Sequence, residues 1–301
     1  LVALGMGNLV QDNTVAESAE ALYTVLSGRT GPQSLLYVRL TAGILAAVLL
    51  ALVLSGGALR VGRAASLLVP VMSLLYLVFC FVILLARAPA LPGVFRLILE
   101  SAFSPRAALG GTAGIGFLTT FRVGLSRGVF SHEAGLGTSA IAHSGAEGIS
   151  PQDQGLFGVF EVFFDALLCT LTGLTVLVSG ITMPYGDASL NSTLVINAFS
   201  TRFSPALAAV FVAVSLLLFA FTSMTTFALY GARCAEYLFG SHVQKIYYAV
   251  FLLVTILGAL LPRSAAWEIG ELLNAAMSIP NLTAMALLVR RVPQLKDALQ
   301  K

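Results

Sequence analysis

The sequence is poor in charge. Asp, Glu, Lys and Arg make up 10% of its 301 residues, against roughly 25% in a soluble domain. It has no basic block and no basic stripe interleaved with aromatics, and its net charge is only +3. That pattern gives no footing for a nucleic-acid partner. Cysteine is scarce too. Cys80, Cys169 and Cys234 fall inside apolar runs at neither disulfide nor metal-ligand spacing, and read as small buried hydrophobes. No HExxH motif occurs, because His132 and Glu133 are followed by Ala-Gly-Leu, and no GxSxG nucleophile elbow occurs either. Metal or serine hydrolase chemistry is therefore not expected, and the chain reads as a non-enzyme. A starting methionine and a signal peptide are also missing. Leu1 falls in the middle of a helical pattern, so further sequence is expected before it.

The sequence is rich in apolar residues. They reach 57%, with a mean hydropathy of +0.91, and they come in runs of about 20, the length that crosses a bilayer. The expected class is an all-α polytopic membrane protein. Eight spans are expected, at residues 1–27, 36–54, 65–85, 107–146, 155–181, 206–239, 245–261 and 265–288. Connectors are expected at 28–33, 55–63, 86–106, 148–154 and 184–205, where Gly and Pro punctuate the chain. The connector at 86–106 holds a short amphipathic piece at 94–103. Placing Arg60, Arg63 and the basic C-terminus in the cytoplasm is consistent with eight spans, although other arginines lie on the opposite side.

Residues 124–147 (GLSRGVFSHEAGLGTSAIAHSGAE) break the apolar pattern. They carry Arg127, His132, Glu133, His143 and five glycines within an otherwise apolar span. Ionisable groups at membrane depth are costly and by default mark a substrate or ion pathway. The glycines imply a broken helix, which membranes tolerate only where protein or a watery cavity satisfies the freed backbone. Many secondary transporters build their binding sites this way. Gly124, Gly128, Gly135 and Gly137 would free the backbone. Ser131 is placed as N-cap of the second half-helix and Glu133 in its first turn, leaving N–H groups for an anion and departing carbonyls for a cation. The bland alternative is a helix kink with packing glycines.

Three other polar groups stand out. Residues 1–27 carry Asn8, Gln11, Asp12, Asn13, Glu17 and Glu20, read either as part of a site or as an interfacial helix end with polar caps. Glu161 and Asp165, at i and i+4, share one helix face, which should meet the bundle interior. Asp165 needs a cationic or strongly hydrogen-bonding partner, with Arg127 the first choice. Thr222, Ser223, Thr225 and Thr226 are either helix–helix glue or neutral oxygen ligands for a hard cation.

These residues resemble a known family. RGVFSHEAGLGTSAIAH (127–143) is similar to the signature of the alanine or glycine:cation symporters, the sodium:alanine symporter family. GMGNLVQDNTVAE (5–17), QGLFGVFEVFFDALLCT (154–170) and MSIPNLTAMALL (277–288) resemble further stretches of that family, in the same order. The resemblance implies a partial five-plus-five inverted-repeat fold, as in the neurotransmitter:sodium symporters. About eight transmembrane helices, one of them broken, form a single transporter domain over 1–301. Residues 1–86 would be the last three helices of the first repeat, and 107–290 the second repeat. It implies sodium-coupled symport of a small neutral amino acid, alanine or glycine, across the cell membrane, with sodium as coupling ion and the lipid bilayer as surroundings.

By the same resemblance, Gln11, Asn13, Gly128, Phe130, Ser131, His132 and Gly135 would line the substrate, with Phe227 capping its side chain. Thr222 or Ser223 would hold sodium. From the cost of unpaired charge at membrane depth, and apart from the resemblance, Arg127, Glu133, Glu161 and Asp165 are candidates for a buried charge network that holds or gates the break. Two positions depart from the pattern: His132 stands where the family usually has Asn, and Ile141 where it usually has Pro. The family's earlier helices, including its first broken helix, are absent from the 301 residues. A proton-coupled permease of the same fold, a channel, and a truncated form without transport activity are the rival readings.

Overall fold

The first helical rod holds the bundle together. The computed structural model describes residues 2–103, 115–133, 135–181 and 192–291. The rod consists of α1 (Val2–Leu4), a π-helical segment (Gly5–Leu9) and α2 (Val10–Ser27). Gly28 ends it in a left-handed conformation at φ 67°, its N–H bonded to the Thr24 carbonyl. The rod packs against α3 (Pro32–Leu54), α10 (Pro205–Phe239), α11 (Val243–Leu260) and α12 (Arg263–Arg291).

Its polar residues are therefore interior. Asn8, Asp12 and Asn13 are each 0% exposed, which removes the interfacial-end reading. Asn8 Nδ2 donates to the Phe251 carbonyl at 2.7 Å, and Asn8 Oδ1 accepts from Thr255 Oγ1 at 2.8 Å. Asn13 Nδ2 donates to the carbonyls of Gly258 (2.9 Å) and Leu261 (2.7 Å). Carbonyls at a helix C-terminus have no intrahelical partner, so Asn13 caps α11 from a neighbouring helix. Arg39 of α3 does the same, donating to Ala259 (2.6 Å) and Leu261 (2.9 Å) while pairing with Glu20 at 3.1 Å. Gly258 permits this closeness: a Cβ there would come 2.8 Å from the Leu9 carbonyl. Asp12 is the exception, since neither of its carboxylate oxygens has a hydrogen-bond partner.

The remaining helices are α4 (Gly57–Ala86), α5 (Leu91–Phe103), α6 (Ile115–His132), α7 (Thr138–His143), α8 (Pro151–Ser179) and α9 (Ser192–Ser200). Proline opens α3, α8 and α10, where its missing N–H costs nothing. Ser150 and Ser204 cap the last two by accepting from the backbone N–H groups of Asp153 and Leu207. The two long connectors expected at 86–106 and 184–205 carry helices, α5 and α9. One core gathers Cys80, Ile83, Phe199 and Val212 from α4, α9 and α10, with Phe79 and Phe211 stacked at 3.7 Å. A second gathers Leu50, Met224 and Phe251 from α3, α10 and α11.

Among the described residues, five helices are long and apolar enough to cross a membrane: α3, α4 from Arg60, α8, α10 and α11. Leu67, Leu85, Leu156 and Leu253 stand exposed on them, as suits side chains facing lipid. Among the described residues all regular structure is helical. Of the three cysteines only Cys80 is buried; Cys169 and Cys234 are exposed, each on the wall of a cavity. The start of the fourth expected span near 107, Arg106, the first part of the 184–205 connector up to residue 191, and the basic residues Lys296 and Lys301 lie outside the described residues.

Candidate functional site

The helix break lies later than the glycine pattern implies. α6 runs unbroken through Gly124, Gly128 and Ser131 to His132. The ladder still closes at Glu133, whose N–H bonds to the Val129 carbonyl at 3.0 Å. Three left-handed positions then stop it: Glu133 at φ 51°, Gly135 at φ 82° and Gly137 at φ 90°. Ser131 is therefore in the last turn of the first half-helix and is not the N-cap of the second. Gly137 holds the N-cap position of α7, and no side chain caps it. α7 has only six residues, too short to give its first turn the anion-holding role expected of it. Asn281 of α12 fills the gap. Its Nδ2 donates to the freed Gly135 carbonyl at 2.7 Å, the satisfaction that a break at membrane depth requires.

Beside the break is a cavity of about 190 Å³ lined by Gln11, Phe130, Ser131, Ser223, Phe227 and Asn274. Four elements meet there: the first rod, α6, α10 and α12. Phe227 lies flat on the rod because Gly7 has no side chain; a Cβ at Gly7 would overlap the ring. Five residues expected at a site, Gln11, Phe130, Ser131, Ser223 and Phe227, thus share one cavity, and Glu133 joins them. Gly128, Gly135, Asn13, His132 and Thr222 are not on its wall. Asn13 is turned to α11. Thr222 Oγ1 donates to the carbonyls of Leu218 (3.0 Å) and Phe219 (2.9 Å) of its own helix. Asn274 and Asn281 were given no role from the sequence; the signal was an amide in an apolar helix, at Asn281 directly after Pro280.

A second cavity of about 270 Å³ lies against Ser131, His132, Glu133, Glu161, Asp165 and Tyr230. Asp165 has the strong hydrogen bond expected of it, from Ser131 Oγ at 2.6 Å. His132 Nδ1 lies 2.9 Å from the same carboxylate oxygen, out of line for a hydrogen bond. Arg127 is not its partner. The guanidinium pairs instead with Glu271 of α12 at 3.1 Å and stacks on Trp267, with Cζ 3.9 Å from the ring centroid. Arg127 and Ser131, four residues apart, lie on one side of α6, yet Trp267 draws the long side chain toward α12. Phe130 meets the same ring edge-on at 5.3 Å. Of the expected four-member charge network, Arg127 pairs apart with Glu271, while Glu133, Glu161 and Asp165 line the second cavity, with His132 of α6 near Asp165 and His143 of α7 near Glu161.

A broken helix, a small polar-edged cavity at its end and apolar outer helices are the parts of a membrane carrier. A sequence profile of the sodium:alanine symporter family matches residues 1–301. The chain belongs to the sodium:alanine symporter family. An uncharacterized transporter of Haemophilus influenzae is 36% identical over 248 residues, covering 82% of this chain and 54% of the relative. The sodium/alanine symporter AgcS of Methanococcus maripaludis is 33% identical over 287 residues, covering 95% and 60%. A sodium/proton-dependent alanine carrier protein of Bacillus sp. PS3 is 30% identical over 269 residues, covering 84% and 59%. The chain spans between about half and three-fifths of the length of these relatives. The family is one of transporters, which fits the reading of a non-enzyme.

Proposed function

We propose that the protein is a sodium-driven symporter of a small neutral amino acid, alanine or glycine, working across the cell membrane by alternating access. The 190 Å³ cavity carries this reading, since it brings Gln11, Ser131 and Phe227 to the end of a broken helix. Gln11 and Ser131 would hold the polar end of the amino acid. Phe227 and Phe130 would bound its side chain and keep it small. Ser223, the hydroxyl of the expected sodium pair that reaches the cavity wall, would offer sodium an oxygen.

The first rod, α6 with α7, and α12 would cross the membrane together with the five apolar helices, making eight spans. Residues 1–86 would close one repeat of an inverted pair, and 107–290 would form the other. The test is uptake of labelled alanine and glycine into proteoliposomes, with and without an inward sodium gradient. The 301-residue chain and the full product of its gene are run side by side. Sodium-dependent accumulation by the full product supports the reading. Accumulation that follows an imposed pH gradient and ignores sodium replaces it with a proton-coupled permease.

A further inference from the structure

A cavity of about 490 Å³ lies among the first rod, α4, α8, α9, α10 and α12. It shares no lining residue with the 190 Å³ candidate amino-acid cavity. Two contacts separate the pair: the Ser131–Asp165 hydrogen bond at 2.6 Å and the edge-on Phe130–Trp267 contact at 5.3 Å. In each, the α6 residue lines the small cavity and its partner lines the large one.

The walls of the large cavity are mostly apolar, with Leu168, Val195, Leu216 and Phe219 contributed by α8, α9 and α10. Two charges of opposite sign stand on the same wall. Glu17 of the rod and Arg263 of α12 face each other at 3.5 Å, both mostly withdrawn from solvent. That is looser than a charge-assisted hydrogen bond. A guanidinium has five N–H donors and a carboxylate about four acceptor positions, so both groups can take a further partner. Ser192 Oγ lies on the wall too, buried and without a hydrogen-bond partner among the described residues. An ion pair beside an apolar hollow is the complement of a zwitterion with an apolar side chain. The guanidinium suits the ligand's carboxylate, Glu17 suits its ammonium, and the hollow takes the side chain. Alanine or glycine would leave most of that hollow empty. Each further buried CH₂ is worth about fourfold in affinity, so leucine, with three more carbons, should outbind alanine here by roughly sixtyfold.

We propose that this cavity is a second binding site, for a free amino acid with a large apolar side chain such as leucine, and that its occupancy slows alanine transport. The site stands apart from the symporter reading; its effect on transport rests on it. The effect follows from the walls. A ligand here packs against Trp267 and Asp165, the groups that hold Phe130 and Ser131 at the end of α6. Alternating access has to change the surroundings of the broken helix, and a ligand that binds one arrangement better than another holds the protein in it.

The test follows alkylation of Cys169, which is exposed on the wall of this cavity. The full gene product in lipid nanodiscs is treated with N-ethylmaleimide in excess alanine, and the Cys169 peptide is quantified by mass spectrometry. Leucine should slow the alkylation by about tenfold or more, and glycine at the same concentration should not. Arg263→Gln should raise the leucine concentration for half-protection by about tenfold or more. If that variant does not purify as a monodisperse protein, Val195→Trp carries the test by filling the cavity, and leucine should then leave its alkylation rate unchanged. Absence of protection by leucine overturns the site. So does protection that excess alanine abolishes, or that survives unaltered in the folded variant. In proteoliposomes leucine should lower the maximal rate of sodium-driven alanine uptake by about half or more, at an unchanged half-saturating alanine concentration. Simple competition instead puts leucine in the candidate amino-acid cavity and overturns the proposal, and protection with uptake unaltered overturns the effect on transport. If wild type accumulates no alanine, the symporter reading falls, and protection of Cys169 still decides the site.

Discussion

In the first rod, Asn8 and Asn13 give their amides to the carbonyls of Phe251, Gly258 and Leu261, fully out of water. Around the α6–α7 break, Ser131, His132, Glu133 and Asp165 face cavities. Both regions place polar side chains among apolar helices. In the rod the partners are backbone groups of another helix, and the result is a joint. At the break the partners are other side chains bordering open space, and the result is a place where something can bind. Burial of a polar group therefore does not by itself mark a site. The nature of its partner and the presence of a cavity do.

The comparison can be broken by mutation, most forcefully in the rod. Asn13→Leu leaves the buried Gly258 carbonyl of α11 without its side-chain donor, while Leu261 keeps Arg39, and an orphaned buried polar group costs about 1–3 kcal/mol. The variant should melt well below the parent in a detergent thermal-shift assay. An unchanged melting point would mean the joint is not structural. Next in size, Gly137→Ala sets a Cβ 2.7 Å from Asn281 Oδ1 at a φ of 90°, a strain of about 1–2 kcal/mol. Thermal shift should report this too, and Asn281→Ala in the same chain should recover part of the loss.

Asp165→Asn should lower alanine uptake while shifting stability by no more than about 1 kcal/mol, because its side chain is 36% exposed beside a cavity and not locked into a joint. Folding and uptake both unchanged would remove Asp165 from the site. The smallest effect is expected at Arg127→Lys. Lysine keeps the charge near Glu271 but loses the planar stack on Trp267, worth about 0.5–1 kcal/mol at a partly exposed position. A tryptophan emission shift from Trp267, the chain's single tryptophan, reads that contact directly.

Much of this arrangement was legible in the chain. Gly28 marks the end of the rod, and Glu161 and Asp165 do share one side of α8 and one cavity, although 59% of the Glu161 side chain is exposed. The polar, glycine-rich stretch at 124–147 does contain the break. Its position within that stretch was not legible. Glycine permits left-handed backbone without requiring it, so Gly124 and Gly128 stay helical while Glu133, a non-glycine, takes the left-handed turn. Long-range partners were beyond reach for a similar reason. Glu271 and Trp267 lie more than a hundred residues from Arg127, and nothing local in either segment prefers that pairing over Asp165. The reading of Asn13 as a substrate ligand failed to foresee the C-terminus of α11, an acceptor that only the packing reveals.

The π-helical segment at Gly5–Leu9 sets the angular phase of the rod. Its hydrogen bonds span five residues where an α-helix spans four, and each residue of an α-helix advances the screw by about 100°. Val2 and Met6 owe their place on the wall of the candidate cavity to that extra step, while Asn8 keeps its hold on α11. Returning the segment to α-helical winding would turn Val2 and Met6 away from the cavity with Asn13 and the rest of α2 still pinned. The wall can thus be reshaped by a twist of one short stretch, without any helix tilting as a body.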